Sequence, residues 1–215
     1  MANPADPAPQ RDVAAVVLAA GSSRRFGEAN KLLAEVAGRP LIFHSVSAFT
    51  SSRASDVVVV TGPDQEAIRS ALDGLPVRFV HNADHLSGMG SSIAAGVAAI
   101  DAGKYGGVLI CPGDMPGMTS RFIDTLIDAF AASDGDHIIR PVLRDGRPAH
   151  PVLWPARLFA TLRQLTGPEG GRRILEALAA DVVTIKSDSR DAALDIDTRD
   201  ELDALRDRLH KQHSS

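Results

Sequence analysis

Short β-branched runs that alternate with stretches of helical periodicity narrow most sharply what this chain can fold into. Val13–Leu18, Asp56–Thr61, Val77–His81, Gly107–Cys111, His137–Arg140 and Val182–Ile185 read as strands. Pro40–Phe49, Asp64–Leu72, Ser91–Ala102, Thr119–Ala131, Pro155–Gln164 and Glu169–Ala179 read as helices. Pro40 and Pro155 suit a first helical position, Thr119 suits an N-cap, and Thr198-x-x-Glu201 forms a capping box that opens a last helix. Such alternation predicts an α/β fold, a mostly parallel sheet with helices on both faces, because each helical crossover returns the chain to the same end of the sheet. No linker-like stretch interrupts residues 12–209, which are therefore read as a single domain between a loose proline-rich arm, 1–11, and a polar tail, 210–215.

Composition removes several functional classes. A formal net charge of −4 argues against a general binder of nucleic acid or membrane surfaces, which needs net or clustered positive charge. No stretch reaches the ~18 apolar residues of a membrane span, and the first residues lack the apolar core of a signal peptide. The only cysteine, Cys111, excludes an intramolecular disulfide and a Cys-x-x-Cys metal pair. Inside an apolar run it reads as a buried, inert thiol, and a reduced, cytoplasmic location is expected.

Chemistry is concentrated where the first apolar run ends. Leu18-Ala19-Ala20-Gly21-Ser22-Ser23-Arg24-Arg25-Phe26-Gly27, with Lys31 four residues on, leaves the carboxyl end of a parallel strand, where open α/β sheets bind ligands. Gly21 and Gly27 free the backbone to approach a ligand, and Arg24, Arg25 and Lys31 can neutralise several phosphate charges. A Walker loop is excluded by five residues between the glycines and by Glu28 after the second. A dinucleotide fingerprint is excluded at Gly88-Met89-Gly90, because Ile93 stands at its third glycine position. Taken alone, the loop is equally a polyphosphate cradle and a solvated turn.

Two acidic passages bear on that choice. Val108–Pro112 is an apolar strand that stops at Pro-Gly and delivers Asp114 to the same sheet edge. By itself Asp114 reads as a turn residue; beside a phosphate cradle it becomes a Mg²⁺ ligand, since phosphoryl chemistry holds Mg²⁺ through one or two carboxylates plus substrate phosphates. Asp195 and Asp197 bracket Ile196, so in extended backbone they face one side and can supply a second acid, or Asp197 can serve only the dipole of the last helix. Gly88, Ser91 and Ser92 open an Ala-rich helix with free N–H groups and hydroxyls for a base or phosphate, with a plain serine cap as the alternative. In Arg144–Leu153 and Gly167–Arg173, turn residues surround Arg147, His150, Arg172 and Arg173, cations that can converge on an anionic second substrate.

In order along the chain, Leu18-Ala19-Ala20-Gly21-x-Ser23-Arg24-Arg25-x-Gly27 with Lys31-Leu32-Leu33, Gly113-Asp114-x-Pro116, Gly146-Arg147-Pro148-x-His150-Pro151-Val152 and Asp195-Ile196-Asp197-Thr198 resemble the MobA-like nucleotidyltransferase family. Within it they are most similar to the molybdenum cofactor cytidylyltransferases. The resemblance covers residues 13 to about 205 and implies a three-layer α/β/α sandwich of Rossmann-like nucleotidyltransferase fold. It implies that residues 18–27 hold the nucleotide, with Arg25 and Lys31 on its phosphates, that Asp114 binds Mg²⁺, and that Asp195 or Asp197 adds the second acid. Arg147, His150 and Arg172 would lie on the acceptor side, where relatives bind a pterin phosphate. Ala20, where guanylyl-transferring relatives tend to carry glycine, points to CTP over GTP. Met115 and Ala149 depart from the Gln and Gly common at these places. The implied reaction is transfer of CMP from CTP to the phosphate of molybdopterin, with release of pyrophosphate. The alternatives are use of GTP, a sugar or polyol phosphate acceptor, or a non-catalytic nucleotide- and cofactor-binding maturation factor. A molybdenum hydroxylase apoenzyme is an expected partner, the chain being a monomer or homodimer.

Overall fold

A computed structural model describes residues 12–21, 30–187 and 200–206. Its main sheet contains β1 (Asp12–Ala19), β4 (Asp56–Thr61), β5 (Arg78–His81), β6 (Tyr105–Pro112), β7 (Ile138–Val142), β8 (Val152–Pro155) and β9 (Val182–Lys186). A two-stranded ribbon, β2 (Glu35–Val36) and β3 (Arg39–Pro40), stands apart from it. The ribbon closes through Ala37 and Gly38, both at positive φ, as a two-residue hairpin turn requires. The helices are α1 (Leu41–Thr50), α2 (Gln65–Ala71), α3 (Met89–Ala98), α4 (Ser120–Ala132), α5 (Phe159–Leu162) and α6 (Arg172–Ala177). Residues 200–206 are also helical.

Strand order is β5-β4-β1-β6-β8-β7-β9. Every pairing is parallel except those of β8, which runs antiparallel between β6 and β7. The strands carry apolar residues on both faces, and their period of two sorts these into two cores. Val13, Ala15 and Val17 of β1, with Val57 and Val59 of β4, meet α1, α2 and α4 through Phe49, Ile68 and Leu126. Ala14 and Val16, with Val58 and Val60, meet α3 and α5 through Val97 and Phe159 on the other face. The result is the three-layer α/β/α arrangement. A glycine at 96 lets α3 approach closely, since a Cβ there would lie 2.4 Å from a Val16 methyl.

Thr119 caps α4 as expected, its hydroxyl accepting from the Phe122 N–H at 3.2 Å. Thr119→Ala is expected to lower stability by about 1 kcal/mol, read as a reduced denaturant midpoint at unchanged slope. Elsewhere the local reading is corrected. Val152–Pro155 is a strand, and the helix expected over Pro155–Gln164 shrinks to a 3-10 turn and the four residues of α5. The cause is tertiary: β6 and β7 leave a gap that only an extended segment can fill, and Val108, Leu109 and Ile110 take up Trp154, Leu153 and Val152 as cross-strand partners. The helix expected over Glu169–Ala179 is α6 alone, starting three residues late after Gly170 at positive φ. Thr198 of the capping box lies outside the described residues.

Candidate functional site

The antiparallel strand decides which side chains share one edge of the sheet. β1, β6 and β7 run parallel and end there at Ala19, Pro112 and Val142; β8, running the other way, begins there at Val152. The segment entering β8 is tied down by the Ala149 N–H, which donates to the Pro141 carbonyl at 2.9 Å. Asp114, His150 and Arg140 therefore come from three neighbouring strands to one end of the sheet.

Asp114 follows β6 across a turn anchored to the first strand: the Gly113 N–H donates to the Leu18 carbonyl at 2.9 Å. A Cβ at Gly113 would stand 3.1 Å from that same oxygen, so the close approach favours glycine. Lys31 opens a 3-10 turn, Lys31–Leu33, capped by Asn30, whose Oδ1 accepts from the Leu32 N–H at 3.0 Å. The Asn30 amide also donates to Asp64 at the start of α2 at 2.8 Å. So held, Lys31 Nζ lies 2.5 Å from Asp114 Oδ2, with 13% and 14% of the two side chains exposed. Asp114 Oδ1 is buried without a hydrogen-bond partner. A hard carboxylate oxygen left open in this way is chemically suited to Mg²⁺, which takes one or two carboxylates and completes its shell with phosphates and water. Among the described residues no cluster of three metal-ligating side chains adds to it. Asp195 and Asp197, the expected second acid, lie outside the described residues, as do Ser23, Arg24 and Arg25 of the loop.

The described end of the loop is closely fitted. Ala19 and Ala20 are buried, and Leu18 lines the adjoining cavity. A Cβ at Gly62 would lie 2.8 Å from the Ala20 carbonyl, so the neighbouring chain comes close beside Ala20. A Cβ at Gly21, by contrast, would meet nothing within 4 Å, which leaves open space beside the backbone where a ligand can approach.

The start of α3 is organised from within. The Ser91 hydroxyl lies within hydrogen-bond reach of the Asp84 and Gly88 carbonyls, at 3.0 and 2.9 Å. Asn82, buried and not singled out from the sequence, donates its amide to Ser91 Oγ and Ser92 Oγ at 2.9 and 3.0 Å. The Gly90 N–H donates to the Gly167 carbonyl at 2.8 Å. Gly88 (φ +112°) and Gly90 pack directly on the 166–168 backbone, where any Cβ would come within 2.6 Å. These glycines serve a loop-to-helix contact.

Between these parts lies a cavity of about 240 Å³ lined by Leu18, Met89, Ile93, Ile110, Pro112, Arg140, Pro148, Ala149, His150, Val152, Trp154, Glu169, Gly171, Arg172 and Leu175. His150 enters it with a buried Nδ1 that has no partner. Burial holds its pKa below the ordinary histidine value; Asp114 opposes this, Arg140 adds to it, and a hydrogen bond to the Ile110 backbone opposes it again. The ring is thus neutral at pH 7. Arg172 reaches the cavity mouth while paired with Glu176 at 2.8 Å and 76% exposed. Arg147 is turned away, 74% exposed and paired with Asp145 at 2.8 Å. Arg173 pairs with Glu169. Cys111 is fully buried, and burial raises its thiol pKa well above the ordinary value.

Arg140 and Trp154 are the cavity residues that sequence reasoning passed over. A signal existed for each: Arg140 is a lone cation between Ile139 and Pro141 in a strand, and Trp154 is the chain's only tryptophan.

Residues 15–182 match the MobA-like NTP transferase domain. The chain is 27% identical over 172 residues to nicotine blue oxidoreductase of Paenarthrobacter nicotinovorans, covering 75% of this chain and 80% of that protein. It is 34% identical over 164 residues to bifunctional protein GlmU of Rhodospirillum rubrum, covering 76% of this chain but only 34% of that longer protein. Among solved structures, a homolog of Mycobacterium tuberculosis Rv0371c from Mycobacterium sp. strain JC1 superposes with a TM-score of 0.78 at 28% identity, covering 93% of this chain and 98% of that one.

Proposed function

We propose that this chain, which belongs to the MobA-like NTP transferase family, moves CMP from CTP to the phosphate of molybdopterin and releases pyrophosphate. The observation that carries the reading is Asp114, one oxygen paired with Lys31 and the other buried and open, at the sheet edge where β1 ends at Ala19, two residues before Gly21.

A phosphate monoester is largely ionised at pH 7, so the attacking oxygen needs no general base. It forms a bond to the α-phosphorus as the bond to the β-phosphate bridging oxygen breaks, and pyrophosphate leaves with the electron pair. No covalent protein intermediate is called for. The chain's task is to align two anions and to balance the charge that moves onto the leaving group. Lys31 holds its ammonium on that edge, and the Leu18–Gly21 backbone gives the nucleotide close approach. Asp114 would hold Mg²⁺, which when bound neutralises and orients the phosphates. Arg25 and an acid at Asp195 or Asp197 belong to the same reading through the family motifs.

The test is pyrophosphate release from CTP, GTP, ATP and UTP against molybdopterin and against sugar and polyol phosphates, with and without Mg²⁺. Release confined to CTP, molybdopterin and Mg²⁺ is expected. Release with another phosphate acceptor moves the acceptor assignment, and tight CTP binding with no release under any condition favours a maturation factor. Ala20 bears on the base. Ala20→Gly is expected to shift kcat/KM selectivity from CTP toward GTP by about tenfold or more, the scale of one methyl group in a fitted pocket.

A further inference from the structure

Arg140 is a charge that no described residue answers. It stands on β7 beside β8, its Nε is buried without a hydrogen-bond partner, and no carboxylate pairs with it among the described residues. Burial is the one influence on its pKa, and it lowers it. Every other cavity-lining cation differs: Arg172 has Glu176, and His150 is neutral. Arg140 is half-buried, and a guanidinium whose Nε is desolvated with no acceptor among the described residues is unfavourable in a folded protein and is completed by an anion from outside. Its five-donor fork is the protein group best matched to phosphate.

The walls around it are of the opposite character. Ile93, Ile110, Val152, Trp154 and Leu175 make the cavity apolar, and Trp154 is held in place by Gly171, where a Cβ would lie 2.7 Å from the indole ring. At about 240 Å³ the cavity falls just below the roughly 300–1,000 Å³ usual for small-molecule sites. It seats one ring system with its charged group, not a whole nucleotide. Its lining also places it next to the reaction: Leu18 and Pro112 stand at the ends of β1 and β6, three residues before Gly21 and two before Asp114 respectively.

We propose that this cavity takes a flat ring system bearing a phosphate monoester, with the phosphate on Arg140 and the ring faces against Ile93 and Trp154. Resting on the transfer reading above, this molecule is the one that receives the nucleotide, and Arg140 is the residue that selects it. Arg147 and Arg172, which share its charge, are outranked because each already has a carboxylate.

Trp154, the only tryptophan, makes occupancy of the cavity directly visible by fluorescence. Phenyl phosphate should give a saturable change in the wild-type chain, and phenol should bind at least tenfold more weakly. Arg140→Met should weaken phenyl phosphate at least tenfold and leave phenol unchanged, while Arg140→Lys should keep part of the preference. Because Arg140 has no partner to lose among the described residues, Arg140→Met should melt no lower than wild type; a structural arginine would show the reverse. In turnover, Arg140→Met should raise KM for the acceptor at least tenfold with KM for CTP unchanged. Equal binding of phenyl phosphate and phenol by wild type, undiminished phenyl phosphate binding by Arg140→Met, or a rise in KM for CTP alone would each overturn the assignment. Should wild type bind phenyl phosphate through Arg140 but release no pyrophosphate with any acceptor, the transfer reading falls and the anion site stands.

Discussion

Asp114→Asn is expected to reduce Mg²⁺-dependent pyrophosphate release by about 10²- to 10³-fold, the usual loss when one preorganised charged group is withdrawn from a developing phosphoryl charge. Asparagine keeps the shape of the side chain, so the change is in charge and in metal affinity. Raising Mg²⁺ should recover little, because the lost group is the ligand itself. Lys31 complicates a naive reading, since Asp114→Asn deprives a largely buried ammonium of its 2.5 Å carboxylate partner and can lower stability. The double variant Asp114→Asn/Lys31→Met removes that ammonium too. It should recover thermal stability relative to Asp114→Asn and recover no activity. Near-normal release by Asp114→Asn, or activity restored together with stability in the double variant, would remove Asp114 from the chemistry.

Trp154→Ala should lower stability by about 3–5 kcal/mol, as for other large-to-small aromatic changes in cores. Trp154 is 3% exposed, faces Val108 across the β6–β8 pair, and is packed on its far side by Gly171. In a chain of this size each kcal/mol moves the melting temperature by roughly 2–4 °C, so scanning calorimetry resolves the effect easily. The substitution also tests whether β8 holds β6 and β7 together. If β8 were a peripheral segment, its truncation would cost little and His150 would keep its place. A loss under 1 kcal/mol would contradict the packing.

Much of the architecture is local in origin. Val13–Leu18, Asp56–Thr61 and Gly107–Cys111 are β-branched and apolar enough that only strands covered on both faces accommodate them, and they pair side by side as β4-β1-β6. The three-layer arrangement and the helices between those strands follow from that periodicity. The Thr119 cap is equally local, one hydroxyl reaching an N–H three residues on. So too is the assignment of Asp114 and Lys31 to one edge, because both follow strands whose direction the crossovers dictate.

Three arginines show where local information ends. Arg140, Arg147 and Arg172 carry the same charge within one stretch of chain; near neighbours supply a carboxylate to two of them, Asp145 to Arg147 and Glu176 to Arg172, but do not show what surrounds Arg140. Tertiary packing supplies that: β7 places Arg140 against a cavity whose lining carboxylate, Glu169, is already paired with Arg173. His150 likewise comes to the sheet end that carries Asp114 only because Val152–Pro155 inserts antiparallel between β6 and β7, a pairing set by strands more than forty positions apart in the case of β6. The hydroxyls of Ser91 and Ser92 are engaged by Asn82, and the Gly90 N–H by Gly167, through contacts between separate elements. By itself the sequence determined which segments are strands and helices, which loops carry charge, and the family to which they are similar, since these depend on periodicity and near neighbours. Which charges are buried, which donors are already engaged and which groups face one another was decided only in the tertiary structure, because burial and pairing belong to residues distant in the chain.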